Sequence, residues 1–190
     1  MKRLLLVCII IILGILGTAP TAGIGSAKPD SFLMIPWGSG IEQIGQEMRR
    51  QGFNDRLVFF QGNGIRYHVT FAGYPGYAVF SLRANQLYHG WVSGLCQTTD
   101  PAGNDGVNTC FTRVREVLIE KYGPPTREMN HDGVVTHSYW DWGKTGGSGD
   151  EENITILLSQ HFAKGGATEG SVDVSYLNRS LEGRLIRLDR

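Results

Sequence analysis

The chain has 190 residues, 41% of them hydrophobic, with 18 Lys and Arg balanced by 18 Asp and Glu. Zero formal charge leaves no basic surface for nucleic acid and no polybasic patch for anionic lipid, so a partner must be recognised by shape and local chemistry. The length suits one domain with a core large enough to fold without staples.

Lys2 and Arg3 precede an unbroken apolar run from Leu4 to Leu16, followed by small residues ending Gly25-Ser26-Ala27. This is the order of a secretory signal peptide over residues 1–27, with cleavage expected after Ala27 or Ala22. The rival is an uncleaved anchor, because the segment can be stretched to about 20 residues, the length of a spanning helix. Pro20 and the glycines interrupt it. Cys8 sits inside the apolar run and not at its end, so it is misplaced for a lipid-modified cysteine. Removal of the leader leaves 16 basic against 18 acidic residues in a single domain over 28–190, without a membrane span and in a periplasmic or secreted setting.

After a short extended lead through Phe32, Met34 and Ile35, Ser39-Gly40-Ile41-Glu42 has the form of a capping box. A helix is expected from there to about Gln51, with Ile41, Ile44 and Met48 on its apolar face and Gly52 as its left-handed stop. From Leu57 the period changes to two. Leu57 to Phe60, Ile65 to Phe71, Tyr77 to Arg83 and Leu87 to Gly94 read as strands, separated by Asn63-Gly64, Tyr74-Pro75-Gly76 and Asn85-Gln86. The polar stretch Gln97 to Thr109 reads as a loop. Phe111, Val114, Leu118 and Tyr122 then return at helical spacing until Gly123-Pro124-Pro125. Val134 to Trp142, Ile154 to Phe162 and Ser171 to Leu177 read as three further strands, and Leu181, Leu185 and Leu188 as a short terminal helix. The expected class is therefore α+β, an antiparallel sheet covered on one face by two main helices. The rhythm common to both halves suggests a duplicated helix-plus-meander unit.

Cys96 and Cys110, 14 positions apart, are the cysteines that remain after processing; in an oxidising compartment they read as a disulfide. A reactive thiol at the opening of a helix is the alternative for Cys110.

Other chemistry finds little footing. Gly143-Lys144-Thr145 lacks the glycine that a phosphate loop needs five positions earlier, where Ser138 stands. Asp100, Asn104 and Asp105 do not follow the ligand order of a calcium loop. His68, His89, His131, His137 and His161 show no metal-ligand spacing, although His137 and His161 lie on strands where they could meet. No G-x-S-x-G elbow occurs, and a paired-carboxylate site from Asp141, Glu151 and Glu152 is set aside because the charge of Glu151 and Glu152, in a loop, is accounted for by solvation. No cofactor, metal or catalytic residue is therefore assigned. Trp140 and Trp142 share one phase of their strand, and an exposed pair there would make a binding surface; filling the layer under the helices is the alternative. The loop tethered between Cys96 and Cys110 is the second candidate surface.

Ile35-Pro36-Trp37-Gly38-Ser39, Lys121-Tyr122-Gly123-Pro124-Pro125-Thr126 and Tyr176-Leu177-Asn178 resemble motifs of small exported bacterial proteins of unassigned role. Their layout is similar to that of the outer-membrane assembly lipoproteins of the BamE/SmpA type and of the β-lactamase-inhibitor proteins. The resemblance implies a non-enzymatic module that scaffolds or binds a protein of the cell envelope, and it carries over no functional residue. A small exported hydrolase with a site built from dispersed residues is the alternative.

Overall fold

Phe32 fixes the starting point of the architecture. The computed structural model describes residues 28–54, 56–58, 64–131, 135–143, 153–163 and 169–188. The expected leader, Phe59, Phe60 and Asn63 of the expected first hairpin, and most of the glycine-rich loop after Gly143, with Glu151 and Glu152, lie outside them. Two short strands, β1 (Ser31–Phe32) and β2 (Ile35–Pro36), pair as a ribbon. Leu33 and Met34 take positive φ in its two-residue turn. The ribbon sets Phe32 on the main sheet, where its fully buried ring meets Phe80 at 5.1 Å and Tyr176 at 5.2 Å. Gly90 makes room for it, because a Cβ there would stand 2.1 Å from the ring.

Helix α1 (Ile41–Arg50) follows, burying Ile44 and Met48. Next come β3 (Arg56–Val58), β4 (Gly64–Phe71), β5 (Tyr74–Arg83) and β6 (Gln86–Thr98). A 3-10 turn at Pro101–Gly103 leads into α2 (Asn104–Tyr122), and then β7 (Arg127–His131), β8 (Val135–Trp142), β9 (Ile154–His161) and β10 (Gly170–Asn178) complete the sheet before α3 (Arg179–Leu188). The eight strands β3 to β10 form one antiparallel sheet in the order β3-β4-β5-β6-β10-β9-β8-β7, so two meanders meet where β10 lies beside β6.

This corrects the expected fold class. Strands dominate the described residues, which form an eight-stranded sheet with a second two-stranded ribbon and three short helices, and not a sheet covered by two main helices. Helix α2 runs against three strands, β6, β9 and β10; α3 sits beside β6 and β9, and α1 is only ten residues long. The ribbon and β7 had no apolar alternation to announce them, and β6 extends four residues beyond Gly94. Part of the work expected of a second covering helix is done by Phe32 and the ribbon.

Helix α2 starts seven residues before Phe111, inside the stretch read as a loop. Asp100, two residues past the end of β6, caps the 3-10 turn, its carboxylate accepting from the Ala102 amide at 2.9 Å. Val107, Cys110, Phe111, Val114, Leu118 and Tyr122 are buried. They meet Val92, Leu95, Leu158, Val172, Val174 and Tyr176 in one apolar cluster, which defines the inner face of the sheet. Among the described residues no helix is long and apolar enough to cross a membrane.

Candidate functional site

Alternation places a second set of side chains on the outer face, turned away from α2. In β4 these are Arg66, His68 and Thr70, between inward Ile65, Tyr67 and Val69. The register sets His68 opposite Tyr77, and Arg66 opposite Val79 and, one strand further, Trp91. Across β10 and β9 the same face continues through Ser175 and Leu157 to Tyr139, and through Asp173 and Ser159 to His137. All five histidines fall in this phase, since His161 and His131 both pair with Val135, two residues from His137.

The aromatic and cationic groups of the face are organised in contacts. The His68 ring lies 4.5 Å from Tyr77, over which the Arg66 guanidinium stands at 4.7 Å. His89 stacks on Trp91 at 4.8 Å and 28°, and its Nε2 is 2.8 Å from Ser175 Oγ. Burial holds His89 neutral, lowering its pKa from 6.5 to about 4, because a charged imidazole would lose solvation there. At the other end Arg127 stacks on Tyr139 at 3.7 Å and donates to Asp141 at 3.2 Å. His137 Nδ1 is 3.0 Å from Ser159 Oγ, and the His137 and His161 rings are 6.4 Å apart. Cations on π-faces and tyrosine and tryptophan in rigid strands give contact area at small entropic cost.

Trp140 and Trp142 belong to the opposite face. Trp140 is 1% exposed, and its Nε1 donates to the Gly123 carbonyl at 2.8 Å, tying β8 to the end of α2. Trp142 is partly buried and stands edge-on to Tyr122 at 5.7 Å. In place of an exposed pair there is one indole built into the core and one at its margin. The tethered stretch is likewise mostly regular structure. The Cys96–Cys110 disulfide joins β6 to the second turn of α2 with Cα atoms 6.4 Å apart, so Cys110 does not open the helix. Between them, Thr98, the Asp100 cap and Gly103 are packed together, a Cβ on Gly103 falling 2.5 Å from Thr98 Oγ1.

The outer face was missed because, apart from the possible meeting of His137 and His161, its histidines were weighed singly. The available signal was their shared phase: His68, His89, His137 and His161 each share their strand phase with a Ser, Thr, Tyr, Trp or Arg two residues away. Among the described residues no group of three or more His, Cys, Asp or Glu side chains is gathered to hold a metal ion. Asp100, Asn104 and Asp105 are used by the turn and α2, with Asn104 Oδ1 accepting from the Ala163 amide. No protein-family model, curated protein or solved structure matches the chain.

Proposed function

We propose that this is an exported, non-enzymatic protein-binding domain that holds its partner against the outer face of the sheet. The observation that carries the reading is the segregation of Tyr77, Trp91, Tyr139, Arg66, Arg127 and every histidine position to one face of a rigid eight-stranded sheet. Tyr, Trp and Arg are the residue types that dominate binding energy at protein interfaces. Strand-borne side chains already fixed by stacking have little left to order on association. The disulfide supports an oxidising compartment, the periplasm or exterior. The resemblance to exported envelope proteins points to the same class.

The hydrolase alternative has one observation in its favour, the close His89–Ser175 and His137–Ser159 pairs. Chemistry weighs against it. His89, with a pKa of about 4, is a weak base at neutral pH. Both serines lie mid-strand, where neighbouring amides are committed to the ladder and provide no oxyanion hole.

The test is capture of a partner from a cell-envelope fraction, followed by affinity measurement with the purified pair. Trp91→Ala and Tyr77→Ala should each weaken binding about tenfold or more, a hot-spot loss, with Thr112→Ala on α2 unchanged. Equal affinity in all three, or loss only in Thr112→Ala, would move the interface off this face.

A further inference from the structure

Among the described residues, Leu33, Met34, Ala72, Ala84, Asn85 and Cys96 take positive φ without being glycine. All but Cys96 lie in hairpin turns; Cys96, at 53°, is inside a strand. The register explains its position. On β10, Val174, Val172 and Gly170 pair with Val92, Leu95 and Thr98, so that Ser93 and Gly94 together face Asp173, and Cys96 and Gln97 together face Ser171. These are two β-bulges in succession. Where a bulge needs a left-handed backbone, glycine is the residue that takes it without steric cost. Gly94, at 71°, supplies the left-handed residue of the first bulge, but in the second that residue is Cys96. Its Cβ crowds its own backbone there, and its side chain is bonded to Cys110.

The other end of the bond has separate anchors. Asn104 Oδ1 accepts from the Ala163 amide at 3.0 Å and its Nδ2 donates to the Ala163 carbonyl at 3.3 Å, while Gln160 donates to Asn108 Oδ1 at 2.8 Å. With Val107 and Phe111 buried, these bonds hold the start of α2 whether or not the disulfide is present. The end of β6 is held more lightly: Gln97 is exposed and donates to Glu169, and Thr98 fits against Gly103. Cys96 is partly exposed and Cys110 fully buried.

We propose that the Cys96–Cys110 bond is a redox-sensitive latch that keeps the second bulge of β6 in place. The co-reactant is a dithiol. One of its thiolates attacks Sγ of Cys96, the partly exposed partner; the bond between the two cysteines breaks, and Cys110 leaves as a thiolate that takes up a proton. The second thiolate of the reductant attacks the mixed disulfide, and Cys96 leaves and is protonated in turn. The protein gains two electrons and two protons, and the reductant becomes a disulfide. Reduced Cys96 returns to the extended region, the bulge is lost, Gln97 moves into register with Gly170, and Thr98 leaves its fit against Gly103. The device acts independently of what the outer face binds.

The test is the pattern of cross-strand proton contacts in nuclear magnetic resonance, in the oxidised full chain and after reduction by dithiothreitol. The oxidised protein should show Thr98 beside Gly170. Reduction should replace that contact by one between Gln97 and Gly170, with Val92–Val174 and Asn108–Gln160 kept. Two variants without the bond separate the latch from a general loosening, and circular dichroism confirms that each is folded. Cys96→Ala with Cys110→Ala should show the reduced register, whereas Cys96→Gly with Cys110→Ala, free to stay left-handed, should keep the oxidised one. A Thr98–Gly170 contact that survives reduction, loss of Asn108–Gln160 on reduction, or the same register in the Gly and Ala variants would overturn the proposal.

Discussion

Gly90→Ala tests how the ribbon and the sheet are locked together. The added methyl carbon would stand 2.1, 2.5 and 2.6 Å from Cδ1, Cγ and Cε1 of Phe32, where ordinary contact begins near 3.4 Å, so the ring must retreat by more than 1 Å. It has nowhere to go. Phe32 is fully buried between Phe80 and Tyr176. If the core strains and holds the ring, overpacking costs about 1–3 kcal/mol; if the ring is expelled, the loss approaches the roughly 3–5 kcal/mol of a Phe→Ala truncation. A destabilisation of about 3 kcal/mol is expected from the urea midpoint at unchanged slope. Phe32→Ala should cost about the same, yet with the ring gone the new methyl has space, and Ala is better than Gly in a strand by about 0.5–1 kcal/mol. The double variant should therefore be no less stable than Phe32→Ala alone, a coupling of about 2 kcal/mol or more. A Gly90→Ala change below about 0.5 kcal/mol, or additive costs, would refute this packing.

Three further outcomes follow from single contacts. Asn85→Ala should cost about 1 kcal/mol, because its side chain caps the Ile41 amide at 3.0 Å, whereas Ser39→Ala should cost nothing, since the buried Ser39 hydroxyl has no partner; urea midpoints in the reverse order would contradict the assignment. Reducing the Cys96–Cys110 bond, whose cysteines are 14 residues apart, should lower stability by about 3 kcal/mol in the chain-entropy model, measured as midpoints with and without dithiothreitol. Because burial lowers the folded pKa of His89 from 6.5 to about 4, the unfolded chain takes up a proton that the native state refuses between those values. Stability should fall as pH drops through that window, by up to about 3 kcal/mol, and His89→Gln should flatten that part of the stability–pH curve.

Period-two alternation located β4, and shows in β10 too, because one face of each is apolar and the other largely polar; β8 and β9, which mix the two kinds on their faces, were read as strands from their apolar and aromatic residues between glycine-rich loops. The turns between strands were less legible. The β4–β5 hairpin turns at Ala72 and Gly73, with φ of 52° and 89°, not at Tyr74-Pro75-Gly76, which lies inside β5; Ala is not a residue that announces a left-handed turn. The β5–β6 turn is Ala84-Asn85, one residue earlier than read. Ser39 has the local signature of a cap, but the capping group arrives from Asn85, 44 residues away, and no short-range pattern encodes that. Strand β7 is an edge strand whose residues Arg127, Glu128, Met129 and Asn130 are all exposed, so no buried face produces a period. Trp140 and Trp142 were identifiable as a same-phase pair, but which phase faces α2 depends on the whole sheet. The histidine face needed the register of eight strands before His68 and His161 could be placed on one surface.

The claim that the outer face is the binding surface is tested most directly by site-specific photo-crosslinking in an exporting cell. A benzophenone side chain is placed at exposed His68 or Thr70 on the outer face, and at exposed Thr112 or Glu120 on α2. The account predicts a discrete crosslinked protein from His68 and Thr70, lost when Trp91 is replaced by Ala, and none from the α2 positions. Crosslinks that form from Thr112 and Glu120, and not from the sheet face, would contradict it.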